Sequence, residues 1–395
     1  MGKVIIIITV LILTVQSNSQ GWVQQTSGTA LNLYSASFLD SHLGFVAGTD
    51  IILKTTNGGI NWINTNAPLY NYSQVIFLNN NTGYASTGSG IVKTTNSGSI
   101  WNFYSTPFPN NSISFINTAT GYSCGSDQNA NRKIMKTVDG GITWNVIYSI
   151  SSMYVFKSIY FSDSLTGYNT RYYHQESSWI DNIYRTSNGG LNWDIVYSQP
   201  NDHLESFFFL SQGYGYLAGF GRVLETSNGG SNWISHAFTN IAFYTVFFTD
   251  YNTGYVAGGQ SGFTRIYRTT NAGIDWNLSL NFNSGALRSL TFPNVKTGYA
   301  VGDNGVILKT TNSGVTPMLP ISTEIPDHFS LSQNYPNPFN PSTKIRFEIS
   351  GSSAAQTFIS VYDILGREVA TLVNEELKPG TYEVDWNASD FPSGV

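Results

Sequence analysis

The stretch Lys54–Trp62, KTTNGGINW, decides how this chain folds, because it returns along most of the sequence. The other copies are KTTNSGSIW (Lys93–Trp101), KTVDGGITW (Lys136–Trp144), RTSNGGLNW (Arg185–Trp193), ETSNGGSNW (Glu225–Trp233), RTTNAGIDW (Arg268–Trp276) and KTTNSGVTP (Lys309–Pro317). Their shared frame is Thr-x-Asn/Asp-x-Gly-x-x-Trp. The fixed polar residue is Asn57, Asn96, Asp139, Asn188, Asn228, Asn271 or Asn312. Its side chain is expected to accept backbone N–H groups two residues on and close a turn, while the Gly takes the positive φ of a tight hairpin. The β-forming residues before the turn and the Trp after it read as two strands, with the Trp ring covering the turn.

A second anchor has the same period. A Phe stands six residues before a Gly-aromatic pair: Phe38 before Gly44, Phe77 before Gly83, Phe115 before Gly121, Phe161 before Gly167, Phe209 before Gly215, Phe248 before Gly254 and Phe292 before Gly298. The unit is about 40 residues with four short strands, which is the signature of a β-propeller blade. There are seven Phe anchors and seven boxes, but only six boxes end in Trp; the seventh ends at Pro317. The missing strand is found at the other end, at Trp22. The fold expected is therefore all-β: a seven-bladed propeller whose N-terminal strand, Trp22–Gln24, closes the last blade and leaves no open edge.

The boxes resemble the Asp-box (BNR) repeat, which Thr137, Asp139, Gly141, Thr143 and Trp144 match fully. In the other six copies Asn keeps the acceptor oxygen and drops the charge. The resemblance implies structural hairpins placed away from any active site. From Trp22 to about Pro317 the units resemble the propeller family of photosystem II assembly and stability factors. That likeness speaks for the fold, and no functional residue carries over from it.

Charged residues are 11% of the chain, well below the roughly 25% of ordinary soluble domains. A net charge of -5 offers no basic face, so no nucleic-acid partner is expected. Residues 1–19 read as a secretory signal peptide, with Lys3, the apolar run Val4–Val15 and small residues at Ser17–Ser19. The single cysteine, Cys124, reads as a small buried strand residue.

The propeller is expected over residues 20–317 and a Pro-containing linker over 318–334. Alternating strands follow at Lys344–Ile349, Thr357–Ile364, Val369–Val373 and Thr381–Trp386. The segments YPNPFNPSTKIRFEI, VYDILGREVATLV and GTYEVDWNASDFPSGV resemble the type A C-terminal sorting domain of the type IX secretion system. The resemblance implies a small β-sandwich over residues 335–395, read by the outer-membrane translocon as partner, with release or attachment at the cell surface. The family runs on beyond the Ser-Gly-Val at which this sequence stops, so the sandwich is expected to lack its last strands.

Function is expected on the propeller face opposite the boxes, which carries the variable loops. The longest is NTRYYHQESSWIDN (Asn169–Asn182) in blade 4, and the next connection is Tyr197–Glu205. Together they gather Arg171, Tyr172, Tyr173, His174, Glu176, Trp179, Asp181, Asp202, His203 and Glu205 into one candidate ligand-contact patch, with rings for stacking and charges for polar contacts. The competing reading is a solvated loop packed on itself. No metal-ligand spacing such as His-x3-His is present, so no metal or cofactor is expected. Sialidases share Asp boxes but need an Arg triad and a Phe-Arg-Ile-Pro motif absent here. Xyloglucanase-type enzymes share the repeat but place catalytic Asp residues on two propellers. A glycosidase would require two carboxylates roughly 5–10 Å apart, which Glu176, Asp181, Asp202 and Glu205 could supply. The expected function is a non-catalytic surface binding, adhesion or scaffold module for an unknown glycan or protein. The alternatives are a glycan-cleaving hydrolase and an assembly factor for an envelope complex.

Overall fold

A computed structural model describes residues 21–395 except 128–130, 151–153, 176, 261, 316–319, 363–364, 367 and 389–395. The signal-peptide segment and Glu176 lie outside the described residues. One compact unit covers Gln20–Val315 and the second contains Thr316–Val395.

The first unit is the seven-bladed propeller. Blade 1 runs Leu33–Phe38, Gly44–Gly48, Ile51–Thr55 and Ile63–Asn64, paired antiparallel in chain order. Blades 2, 3 and 4 repeat that order, while blades 5 and 6 join in one six-stranded sheet through the long strand Ile234–Phe248. Its first residues pair with the end of Gly215–Thr226 and its last with Gly254–Gln260. Blade 7 is closed from the other end of the chain: Val23–Gln25 pairs with Ile307–Thr310, Val23 opposite Lys309.

The recurring Phe and Gly-aromatic pair explain one another. Phe38 faces Gly44 across the first strand pair, and a Cβ on Gly44 would fall inside the Phe38 ring. Only Gly leaves that space. The neighbouring aromatic of each pair reaches the next blade. Phe38 stacks on Tyr299, Phe77 on Phe45, Phe115 on Tyr84, Phe161 on Tyr122, Phe209 on Tyr168, Phe248 on Tyr216 and Phe292 on Tyr255, at centroid distances from 3.5 to 4.5 Å. The same Phe meets its own blade's Trp edge-on, 5.8 Å for Phe77–Trp101. Trp22 stands against Phe292 at the same 5.8 Å, so the N-terminal Trp takes in blade 7 the position that the box Trp holds in blades 1 to 6. Each such pair is worth about 0.5–1.5 kcal/mol beyond area burial, and the motif supplies one at every seam.

The boxes close by a different bond from the one expected. Asn57 Oδ1 accepts the N–H of Asn61, four residues on, at 3.0 Å. It is the Thr55 hydroxyl that accepts the nearer N–H groups, from Asn57 and from Gly59 at 2.8 Å, while donating to Asn57 Oδ1. Thr is thus the pivot of the hairpin, because its Oγ is short enough to lie inside the turn. Two successive residues take positive φ, Gly58 (68°) and Gly59 (85°). Ser97, Ala272 and Ser313 occupy the first of these positions without being Gly. At Asp139, burial opposes the charge, but bonds from Thr143, Thr137 and Ile142 outweigh it and bring the pKa down to about 2.

The innermost strands face the axis and are tied by a hydroxyl ladder. Ser35 Oγ accepts the N–H of Val75 in the next blade at 3.1 Å, Gln74 Oε1 that of Ile113 at 2.9 Å, and Ser112 Oγ that of Ile159 at 3.3 Å. Thr245 and Ser289 do the same for Leu290 and Ala36. Cys124 is fully buried, and burial pushes its thiol up to about 12.

In the second unit, Ser330–Leu331, Ser342–Ile349 and Gly380–Asn387 form one sheet, and Ala355–Tyr362 pairs with Glu368–Leu377 in another. Phe347, Ile349, Val373, Leu377 and Tyr382 make the core between them. Segment 318–334, expected as a linker, contributes the Ser330–Leu331 strand and a Ser322–Thr381 bridge to this unit.

Candidate functional site

Blade 4 differs from the expected long loop. Its second and third strands continue as Gly167–Gln175 and Ser178–Thr186, in register from Gly167 opposite Thr186 out to Gln175 opposite Ser178. NTRYYHQESSWIDN is therefore an extended hairpin with a tight turn. Thr170, Tyr172, Tyr173, Trp179 and Ile180 are β-formers that sustain the strand pair. Likewise Tyr197 to Pro200 belongs to the strand Asp194–Pro200, so the connection to blade 5 is only residues 201–205.

Burial, set by depth along the hairpin and not by strand face, splits the nine described candidate residues into two sets. Arg171, Asp181 and Asp202 point inward, each 1% exposed or less, and are corrected from ligand contacts to structural groups. The Arg171 guanidinium lies over Tyr184 at 3.9 Å and Phe156 at 4.4 Å. Its Nε donates to Asn169 at 2.8 Å and its Nη1 to the Tyr148 hydroxyl at 3.2 Å. Burial lowers its pKa, and the ring faces and hydroxyl offset part of that cost. Asp181 accepts the N–H groups of Asp202 (3.1 Å) and Leu204 (3.3 Å), locking the connection to the hairpin. Asp202 accepts the Tyr197 hydroxyl at 2.6 Å and pairs with Arg222 at 3.0 Å. Burial raises the pKa of both carboxyls, and these partners offset it only in part.

The second set faces solvent. Trp179 is 39% exposed. Tyr172 meets it edge-on at 5.3 Å and His174 at 4.8 Å. Tyr173 turns instead to Tyr154, at 5.1 Å. Glu205 pairs with Lys157 at 3.0 Å. Tyr172, Trp179, His203 and Glu205 come together with Lys157 and Leu204 around a hollow of about 210 Å³. Among the described residues no group of three or more His, Cys, Asp or Glu side chains is placed to hold a metal ion.

The larger cavity went unforeseen. The central channel holds about 750 Å³ and is lined by the innermost strand of every blade. Its signal was in the repeat frame. The residue four before each anchor Phe is Tyr34, Ser73, Asn111, Lys157, Glu205, Tyr244 or Arg288, and all seven line the channel. Arg288 lies over Tyr244 at 4.4 Å and is held by Asp303 at 3.0 and 3.1 Å. The channel and the Trp179 hollow share Lys157 and Glu205.

The C-terminal residues 333–395 match the family described as the secretion system C-terminal sorting domain. The chain is a type IX secretion cargo. That domain directs it to the cell surface or beyond. Among solved structures, the propeller resembles YCF48 bound to D1 peptide (TM-score 0.58, 18% identity, 74% of this chain and 97% of that one). It also resembles YCF48 from Cyanidioschyzon merolae (0.57, 16%, 73% and 98%). A third is the GH74 enzyme of Niastella koreensis (0.60, 14%, 83% and 59%), of which the chain spans little more than half the length. At these identities the likeness is one of fold. No curated protein matches the chain in sequence.

Proposed function

We propose that this type IX cargo is a non-catalytic binding module that holds its ligand against the Trp179 face of blades 4 and 5. The observation that supports this reading is the division of the patch. Its buried carboxylates, Asp181 and Asp202, are spent on backbone N–H groups, Tyr197 and Arg222. Glu205 is held by Lys157, and the surface left open is aromatic. Hydrolysis of a glycosidic bond needs two carboxyl groups free to reach substrate, whereas an exposed ring beside an ion pair suffices for stacking and hydrogen bonding.

The second reading, a glycan hydrolase, draws on the GH74 fold likeness and on the raised pKa of Asp181 and Asp202, a trait of general acids as well as of buried structural groups. A third reading, a factor that holds a protein of the cell envelope, draws on the YCF48 likeness and the peptide bound there. Incubation of the chain with a polysaccharide panel, scoring retention and reducing-end release, separates them. Retention without release supports the binding module. Release overturns it in favour of the hydrolase. Neither, with a stable envelope protein recovered on a pulldown, moves the reading to the third.

A further inference from the structure

We infer that the central channel is a binding site for the end of a neutral, hydroxyl-rich chain, a glycan, entered from the Trp179 hollow. The inference rests on the binding reading above and names both the ligand class and a second place where the ligand is held.

Four observations carry it. First, the two cavities adjoin at the Lys157–Glu205 pair, which lines both. A chain lying on Trp179 ends beside the channel. Second, the charges at the channel cancel. Lys157 is paired with Glu205 and Arg288 with Asp303, so a net charge on the ligand would meet no counter-charge and lose its hydration. Third, hydroxyl groups are available where the two cavities join. The ladder that ties neighbouring innermost strands lapses on both sides of blade 5, and Ser158 and Ser206 make no side-chain hydrogen bond there, although both line the channel. They can each donate and accept, which matches a sugar hydroxyl. Fourth, an extended peptide is disfavoured over most of the ring. Peptides add to a sheet by pairing with free main-chain donors, and those of Val75, Ile113, Ile159, Leu290 and Ala36 are already taken by the ladder. The ladder leaves only those of Phe207 and Val246, and the hexaglycine probe below tests that stretch. The channel volume of about 750 Å³ falls within the range of ordinary ligand sites, roughly 300–1,000 Å³.

The test is calorimetric titration of the full chain with linear glucan oligosaccharides from disaccharide to hexasaccharide, in both α-1,4 and β-1,4 series. Oligogalacturonate of equal length serves as the charged probe and hexaglycine as the peptide probe. In one neutral series, affinity should rise at least about tenfold from disaccharide to hexasaccharide. Oligogalacturonate and hexaglycine should not bind. The double variant Ser158→Ala/Ser206→Ala should weaken the hexasaccharide about tenfold and leave the disaccharide unchanged, as two lost hydrogen bonds would. Ser206→Trp should abolish the dependence on length by filling the channel. Trp179→Ala should weaken every length. If Trp179→Ala weakens binding while both Ser variants leave the length dependence intact, the channel site is refuted and the Trp179 face stands. The reverse pattern keeps the channel and removes the Trp179 face. Hexaglycine or oligogalacturonate binding as tightly as the neutral hexasaccharide overturns the ligand class. No binding of any oligosaccharide overturns the channel inference together with the glycan form of the binding reading.

Discussion

The seam between blades 1 and 2 and the seam between blades 4 and 5 solve one problem with different chemistry. In the first, Ser35 and Ser37 accept the N–H groups of Val75 and Phe77 at 3.1 and 3.0 Å. In the second that ladder is absent, and Asp181, Asp202, Lys157 and Glu205 hold the junction with charge. The neutral seam is inexpensive, since a hydroxyl loses little on burial when it is hydrogen-bonded. The charged one carries a desolvation cost that its partners only partly repay. What the costlier seam provides is space: it releases the Ser158 hydroxyl and leaves the Trp179 hollow open beside the channel. A departure from a repeat that worsens local energetics and opens a cavity is where function is to be sought.

Both seams depend on a closed ring, so the largest effect should come from breaking the closure. Deleting Gly21 to Gln25 removes Trp22, which is 2% exposed, and the outer strand of blade 7. Loss of a buried Trp alone costs about 3–5 kcal/mol, and calorimetry should show a large drop in Tm; an unchanged Tm would refute closure by this strand. Next in size is Asp181→Ala, which leaves the buried N–H groups of Asp202 and Leu204 without their acceptor. Denaturant melts should show a loss of roughly 2–4 kcal/mol. Asp181→Asn, which keeps an acceptor oxygen, should lose under about 1 kcal/mol. If Ala and Asn cost the same, the Asp181 acceptor oxygen is not what holds this junction.

The ladder gives a smaller and sharper contrast. Ser35→Ala should cost about 1 kcal/mol, whereas Ser158→Ala, whose hydroxyl ties no neighbouring strand, should stay within about 0.5 kcal/mol. Equal losses at the two sites would erase the distinction between the seams. The smallest effect concerns acid. The Asp139 pKa of about 2 lies below the ordinary 3.8, so this box adds stability above pH 3.8 and loses it as pH falls toward 2. Asp139→Asn should remove that acid-dependent part, under about 1 kcal/mol because the group is exposed. Asp181 and Asp202 have the opposite sign. Their raised pKa values favour the fold at low pH, and that contribution fades as pH rises through the folded-state values.

Much of this was legible in the residues. Phe six before Gly-aromatic gave the blade count, because a ring can lie over a strand neighbour only where that neighbour is Gly. The absence of a seventh box Trp pointed to Trp22 for the same reason of fixed geometry. The candidate patch was legible only in part. The structure gathers Tyr172, Trp179, His203 and Glu205 around one hollow. Arg171 and Asp181 are not part of that surface, since they stand on opposite faces at the base of the hairpin, where both faces are covered. The polar residues of 169–182 read as a loop, whereas Thr170, Tyr172, Tyr173, Trp179 and Ile180 are the β-formers of a hairpin.

The sequence by itself determined the ring of seven blades, its closure, and the sorting domain that follows, because each is written in short-range spacings that recur. The tertiary structure alone decided which charges stay exposed and which hold a seam. It also brought the channel residues, some forty positions apart in the chain, around one axis. The physical reason is that burial and pairing across blades depend on which side of a strand meets its neighbour, and that is set by the closed ring as a whole.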